Sequence, residues 1–150
     1  MKEKNHKEIR MIVVENNARD QKLMKEMFAH RNWEQHVTLL NDVAELIDVL
    51  ENTTDAHLPS LIVINSNLPR VTISTALTLI KKDDRYGQVP VGIFCESLTE
   101  KIEQELMQLG AAFCRLKPSS IEGLNSLIYE FVEYAIMIRD KSNLLSKSRK

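Results

Sequence analysis

Polar side chains follow four short apolar runs of the sequence, at the point where each run ends. They are Glu15, Asn16 and Asn17; Asn65, Ser66 and Asn67; Cys95, Glu96 and Ser97; and Lys117, Pro118 and Ser119. A carboxylate in such a place can act as a nucleophile or bind a metal ion, whereas an amide only donates and accepts hydrogen bonds. The run "LIVIN" ends on the amide of Asn65. The chemistry of this site therefore depends on what the amide of Asn65 does in place of a carboxylate.

The first polar cluster, residues 15–17, has two interpretations. Its side-chain oxygens could bind a cation. Alternatively, the loop caps the helix that is predicted to follow it, because Asn16 or Asn17 is a good cap ahead of "ARDQKLM". The capping interpretation is favoured.

Cysteine and histidine give no sign of a redox or metal centre. Cys95 and Cys114 lie far apart in apolar stretches, which favours two reduced thiols in a core over a redox pair. The four histidines share no spacing typical of metal ligands; they are His6, His30, His36 and His57. We therefore predict no metal site from these residues.

The composition is that of an ordinary globular domain. The chain has 150 residues, of which 43% are hydrophobic and 27% charged, with a formal net charge of -1 at pH 7. We expect one domain over residues 1–150, with a core at about 9–138 and a basic tail at 139–150. The balanced charge argues against direct nucleic-acid binding. No apolar run is long enough to cross a bilayer and no signal-like segment is present, so we expect a cytoplasmic protein.

The elements that must position the polar clusters alternate strictly along the chain. Five apolar runs predict strands, and five segments with helical periodicity follow them. The predicted strands are 9–15, 36–41, 61–65, 89–95 and 111–116, and the predicted helices are 18–31, 42–53, 72–84, 98–110 and 120–140. This alternation predicts an α/β fold, with a parallel sheet covered by helices on both faces. Such sheets bind ligands at the carboxyl ends of their strands, where the polar clusters lie.

The predicted fifth helix is apolar over more than one face. One stripe suits packing on the sheet and consists of Ile121, Leu124, Ile128, Phe131, Ala135 and Ile138. Further apolar residues lie beside it, namely Leu127, Val132, Ile136 and Met137. This surplus predicts either a surface for a partner or cover by the tail, with Leu144 and Leu145 folding back.

Four motifs in this order resemble the receiver domain of bacterial response regulators. They are "IVVENNARD", "LIVINSNLPR", "VPVGIF" and "LGAAFCRLKP", and the resemblance covers about residues 9–138. It implies a flavodoxin-like three-layer α/β/α sandwich with a five-stranded parallel sheet in the order 2-1-3-4-5 and five helices. It also implies a role in two-component signalling, in which a receiver takes a phosphoryl group from a histidine kinase.

The resemblance assigns a position to each residue of the family's phosphorylation site. The phosphoacceptor position falls on Asn65, and the metal-binding acidic pair falls on Glu15 and Asn16. The remaining positions are the backbone carbonyl ligand at Asn67, the hydroxyl at Cys95, the lysine and cis-proline at Lys117 and Pro118, and the signalling aromatic at Cys114.

These assignments keep the scaffold of the site and lose most of its chemistry. An acyl phosphate needs a carboxylate nucleophile, and Mg²⁺ prefers anionic oxygens. We therefore expect a degenerate receiver with weak or absent Mg²⁺ binding, no cofactor and no enzymatic activity. The amide of Asn65 is expected to donate a hydrogen bond to Glu15 or to a loop carbonyl, and so to preserve the shape of the site without its charge.

The expected partner is another protein of a signalling pathway, such as a histidine kinase or an output protein. A homodimer through the fourth and fifth helices is plausible from the resemblance. Two alternatives stay open: a receiver phosphorylated at Glu15 or Ser66, and a flavodoxin-like ligand-binding domain. The second is disfavoured because the chain has only four glycines and no glycine-rich phosphate loop.

Overall fold

Five parallel strands form one sheet in the order β2-β1-β3-β4-β5, as the sequence predicted. The computed structural model describes the backbone of residues 9–68 and 71–148, and side chains as far as residue 141. The strands are β1 (Met11–Val14), β2 (Val37–Leu40), β3 (Leu61–Asn65), β4 (Val91–Cys95) and β5 (Phe113–Leu116). Because all pairings are parallel, the carboxyl ends of the strands meet along one edge.

Five α-helices connect and cover the strands. They are α1 (Ala18–His30), α2 (Val43–Glu51), α3 (Ile73–Lys82), α4 (Glu100–Gln108) and α5 (Ile121–Ser148), with a short 3₁₀ helix at Asp55–His57. The first four begin at a side chain that accepts a hydrogen bond from a backbone N–H of the first turn, which satisfies a group that would otherwise lack a partner. These caps are Asn17, Asp42, Thr72 and Thr99.

Each face of the sheet has its own hydrophobic core. On one face, α1 and α5 cover β1, β3, β4 and β5, and Met24, Phe94, Phe113 and Phe131 are among the packed side chains. On the other face, α2, α3 and α4 pack on the strand side chains that point the opposite way, because successive residues of a strand face opposite sides of the sheet. Strands buried on both sides account for the nearly continuous apolar runs in the sequence.

Helix α5 is longer than the sequence predicted. The prediction ended at Asp140, but the helical backbone continues to Ser148 instead of folding back as a tail. Most of the surplus apolar surface is covered by the sheet and α1, since Leu127 and Val132 are buried and Ile136 is partly buried. Met137 is the exception and is 51% exposed. The side chains of Leu144 and Leu145 lie outside the described residues.

Within residues 9–68 and 71–148, no helix is both long enough and apolar enough to cross a membrane.

Candidate functional site

Two polar residues are buried at the carboxyl edge of the sheet. Glu15 follows β1 and Asn65 ends the neighbouring strand β3, and they are 0% and 1% exposed. No other polar or charged residue of the described chain is buried to this degree. Burying a charged group is costly unless it is paired and hydrogen-bonded, so the partners of Glu15 decide what this site can do.

The amide of Asn65 joins Glu15 to the loop after β3. Its Nδ2 donates to Glu15 Oε2 at 2.8 Å, and its Oδ1 accepts from the backbone N–H of Asn67 at 3.1 Å. The opposite orientation would set two acceptors against each other at Glu15 and two donors at Asn67, so the network defines how the amide points. Of the two acceptors expected for this amide, Glu15 or a loop carbonyl, the structure has Glu15.

Lys117, which follows β5, supplies the positive charge of the site. Its Nζ lies 2.7 Å from Glu15 Oε1 and 2.6 Å from Asp20 Oδ2, and its side chain is 5% exposed. Burial alone lowers the pKa of Lys117, but its hydrogen bonds to Asp20 and Glu15 and their negative charges outweigh that effect and raise the pKa above 10.5. The lysine is therefore charged at neutral pH, and its ammonium also lies 5.6 Å from the centre of the Phe94 ring.

Asp20 is a site residue that the sequence analysis missed. It lies in the first turn of α1, where its backbone N–H donates to the capping side chain of Asn17, and its own side chain is 13% exposed. The helix dipole favours an acidic residue in the first turn, but nothing in the sequence indicated that this one would contact Lys117. Asn16, which the resemblance placed in the acidic pair, is instead exposed.

Further hydrogen bonds occupy the remaining groups around Glu15. The backbone N–H of Asn17 donates to Glu15 Oε2 at 2.9 Å, so that this oxygen accepts twice. The side chain of Gln21 donates to the backbone oxygen of Glu15 and, at 2.5 Å, to Asn41 Oδ1. Both carboxylate oxygens of Glu15 are thus engaged, as expected for a buried charge in a folded state.

The cis bond expected before Pro118 is not present. The resemblance implied a cis bond between Lys117 and Pro118, but every peptide bond of the described residues is trans. The trans bond leaves Lys117 in the network, since its backbone N–H donates to the oxygen of Cys95 at 2.6 Å and its ammonium still reaches Glu15.

Cys95 and Cys114 are separate buried thiols. Burial raises the pKa of Cys95, although a hydrogen bond with Ser66 lowers it, and burial with the nearby Cys95 and Glu103 raises the pKa of Cys114 to about 11. The strand register pairs Cys114 with Ile93, two residues before Cys95. Strand spacing and rise then separate the two Cα atoms by roughly 8 Å. That exceeds the span of about 7 Å that a disulfide can bridge, and both cysteines are free.

The position assigned to a signalling aromatic holds Cys114, which packs on the side of the sheet covered by α2, α3 and α4. The neighbouring Phe113 faces the other side, where it stacks on Phe131 with ring centres 5.5 Å apart. Because successive side chains of a strand point to opposite faces, Phe113 cannot take over the position of Cys114.

The donor set does not fit the magnesium ion that the resemblance implies. Mg²⁺ takes anionic oxygens and water in an octahedron at about 2.0–2.1 Å. Here Asn65 turns an N–H group toward Glu15, and the ammonium of Lys117 lies against both nearby carboxylates. Among the residues that the structure describes, no three His, Cys, Asp or Glu side chains converge in a way that could hold a metal ion.

An open depression of about 340 Å³ borders this network on the side of Asp20 and Lys117. Asp20, Glu96 and Lys117 are among the residues that line it, and Glu15 and Asn65 are not. A reagent that enters the depression therefore meets the salt bridge between Asp20 and Lys117 before it reaches the amide.

No family model matches the sequence, and no curated protein matches it. Solved structures do match. The phosphorylated cyanobacterial phytochrome response regulator RcpA is similar at 23% identity and a TM-score of 0.73, over 85% of this chain and 94% of that one. A response regulator from Hahella chejuensis is similar at 20% identity and a TM-score of 0.70, with the same coverage of 85% and 94%.

A third match is a signal receiver domain of a histidine kinase from Syntrophus aciditrophicus, at 14% identity and a TM-score of 0.66, over 85% of this chain and 89% of that one. At such identities the likeness concerns the path of the backbone rather than the chemistry of the site. The strand order and the alternation of strands and helices lead to the same conclusion. The chain has the fold of response-regulator receiver domains.

Proposed function

We propose that this protein is a receiver-fold binding module of two-component signalling that takes up no phosphoryl group at the usual position. It acts in the cytoplasm through contact with another protein, such as a histidine kinase or an output protein. The observation that carries the proposal is the orientation of Asn65, whose amide donates to Glu15 at 2.8 Å. A phosphoacceptor would present a free carboxylate oxygen at that edge.

The chemistry of the amide supports this interpretation. An acyl phosphate forms when a carboxylate oxygen attacks phosphorus, and the neutral amide of Asn65 is a poor nucleophile. Both of its polar atoms are engaged in hydrogen bonds, and the residue is 1% exposed. Uptake of phosphate at Asn65 would therefore require the network to break first.

The two alternative acceptors are less well placed. Glu15 is fully buried and both of its carboxylate oxygens accept hydrogen bonds. Ser66 is half-buried, and its side chain is hydrogen-bonded with Cys95. A serine would also form a phosphate ester, which is more stable than an acyl phosphate, so that chemical stability distinguishes the two acceptors.

The surface proposed for the partner is the last strand with its flanking helices. Leu116 at the end of β5 and Ile121 at the start of α5 are 57% and 51% exposed. Isolated apolar residues are common at protein surfaces, but two large ones at the same edge of the fold suit a protein contact. Pairing of two copies through α4 and α5 belongs to this proposal, and sedimentation of the purified chain tests it.

Incubation with acetyl phosphate and Mg²⁺, followed by intact mass spectrometry, tests the proposal. We expect no phosphoryl group on the wild type. The Asn65→Asp, Asn16→Asp double variant restores the nucleophile and adds a carboxylate beside it, and we expect a label on it that hydroxylamine removes. The single variant Asn16→Asp is the matched control, because it adds charge but no nucleophile at β3.

A labile label on the wild type would overturn the proposal, and its mapping to Glu15 or a stable label on Ser66 would favour the phosphorylated alternative. Capture of partner proteins by immobilised wild type, with and without acetyl phosphate, completes the test. A module that works by shape alone binds the same proteins under both conditions.

A further inference from the structure

Three charged groups meet at the edge of the sheet, and their arrangement gives Lys117 a role of its own. The ammonium of Lys117 contacts one carboxylate oxygen of Glu15 and one of Asp20, at 2.7 and 2.6 Å. These are short, charge-assisted hydrogen bonds. All three side chains are largely or fully buried, with exposed fractions of 5%, 0% and 13%.

We propose that Lys117 is the built-in cation of this pocket and that Asp20 and Glu15 hold its ammonium where a divalent ion would otherwise bind. The inference rests on the proposed function in that it concerns the same pocket. It goes further because it names the group that takes the place of the metal and identifies Asp20 as the residue that positions it.

The geometry supports the replacement of a metal ion by the ammonium of Lys117. A divalent ion bound by Glu15 and Asp20 would have to share their oxygens with an ammonium that already lies within 2.7 Å of both. Two cations that share the same carboxylate oxygens in a largely buried site repel strongly, because the local dielectric constant is well below that of water. Binding of the ion would therefore require the ammonium to withdraw from Glu15 and Asp20 and to give up two charge-assisted hydrogen bonds.

The surroundings of Lys117 also keep it in place. Its backbone N–H donates to the oxygen of Cys95, which fixes the start of the side chain at the end of β5. Asp20 is fixed in turn by the N-terminal turn of α1, where Asn17 accepts its backbone N–H at 3.0 Å. The salt bridge thus ties the first helix to the last strand without an exogenous ion.

The net charge of the pocket also suits an internal ammonium better than a divalent ion. Two carboxylates and one ammonium leave a net charge of -1, because the amide at position 65 contributes none. An aspartate there would make the net charge -2 and match a divalent cation. The neutral residue at the end of β3 and the internal cation at the end of β5 are therefore complementary features of one pocket.

The test is a titration of the purified full chain with Mn²⁺. Binding is measured as the loss of the free-ion signal in electron paramagnetic resonance. We expect no saturable binding to the wild type. The Lys117→Met variant leaves two carboxylates without their cation, and we expect it to bind one Mn²⁺ with an affinity at least about tenfold above the detection limit set by the wild type. Addition of Asp20→Asn to this variant removes the gain.

Lys81→Met is the matched control. Lys81 is partly buried, but its ammonium donates to the backbone oxygens of Gly87 and Val89, at 3.0 and 2.8 Å, and to no carboxylate. Its removal creates no anionic site, so we expect no Mn²⁺ binding. A gain equal to that of Lys117→Met would show a general effect of lost charge and would overturn the inference.

A second measurement needs no lysine variant. A clamped ammonium exchanges its protons slowly, so ¹⁵N spectra of the wild type should contain one protected lysine resonance, and Asp20→Asn should shift or remove it. Absence of that resonance would overturn the inference, as would Mn²⁺ binding by the wild type that equals that of a folded Lys117→Met variant.

The two proposals fail in different ways. Mn²⁺ binding by a wild type that takes up no phosphate overturns only the role of Lys117. A labile phosphoryl group on the wild type overturns the proposed function, whatever the Mn²⁺ titration shows.

Discussion

Asn65 differs from an aspartate by one group, an NH₂ in place of an oxygen, and that group reverses its relation to Glu15. A carboxylate can only accept hydrogen bonds, so it would set like charges against each other across this contact. The amide donates instead, and Glu15 remains buried with a partner on each oxygen. Leaving one buried partner unsatisfied typically costs about 1–3 kcal/mol. The amide therefore stabilises the pocket without adding a negative charge to it.

The raised pKa of Lys117 predicts how stability depends on alkaline pH. A lysine whose pKa is higher in the folded state than in the unfolded state stabilises the fold while both states are protonated. That stabilisation is complete below pH 10.5, the ordinary value, and is lost as the pH rises through the raised pKa of the folded state. We expect the free energy of unfolding, measured by urea titration, to fall as the pH rises above 10.5.

The Lys117→Met variant provides the comparison for this prediction. It should be less stable than the wild type at pH 8, and its free energy of unfolding should decline less over the alkaline range. Lys81 contributes the opposite trend, because burial lowers its pKa. Parallel curves for the wild type and Lys117→Met would contradict the prediction.

At the scale of elements, the packing of β5 against β4 explains why a buried strand contains Gly92. Gly92 lies directly opposite Phe113 in the strand register. A Cβ at Gly92 would lie 2.1 Å from the ring of Phe113. That ring also contacts Tyr134 and Phe131 of α5, with ring centres 4.9 and 5.5 Å apart. The missing side chain at Gly92 thus lets β5 and α5 pack together.

The Gly92→Ala substitution is therefore expected to destabilise the fold. Overpacking of this kind typically costs about 1–3 kcal/mol, and urea titration measures the free energy of unfolding. A double-mutant cycle with Phe113→Leu isolates the contact, because a smaller side chain at 113 makes room for the added methyl group. Gly92→Ala should then cost less in the Phe113→Leu background. Equal costs in both backgrounds would assign the effect to the backbone of β4 instead.

Two cores, one on each face of the sheet, stabilise the whole molecule and enclose the polar groups of the candidate site. Glu15 and Asn65 lie where the strands of both cores end, and their polar atoms are enclosed by the loops after β1, β3 and β5. A parallel sheet covered on both faces has few exposed routes to its interior. Access to buried groups therefore requires the molecule, or a large part of it, to open.

The thiols of Cys95 and Cys114 report on this opening. They are 1% and 4% exposed, and burial raises the pKa of both. The thiolate is the reactive form, so we expect almost no reaction with an aromatic disulfide reagent at pH 8 in native buffer. Two thiols per chain should react in urea, and single serine variants assign each rate. Rapid reaction of both thiols without denaturant would contradict the two-core description.

Local patterns of the amino-acid sequence determined most of the fold. The period-3.6 stripes and the β-branched runs predicted ten elements in the right order, and of the two caps expected for the first helix, Asn16 or Asn17, the structure has Asn17. These features depend on backbone and side-chain preferences within a few residues, which the sequence displays directly. The hydrogen bond from Asn65 to Glu15 was predictable because a carboxylate can only accept.

The tertiary structure decided which charges meet. Asp20 and Lys117 lie 97 positions apart in the chain, and their contact at 2.6 Å depends on the rotation of α1 about its axis and on the path of the loop after β5. The same rotation and loop geometry leave Asn16 exposed and accommodate Pro118 with a trans bond. Neither follows from residue type or spacing, because each depends on how distant elements pack against one sheet. The neutral residue at position 65 is evident from the sequence alone. The contacts of Lys117 with Asp20 and Glu15 depend on how distant elements pack, so only the tertiary structure determined them.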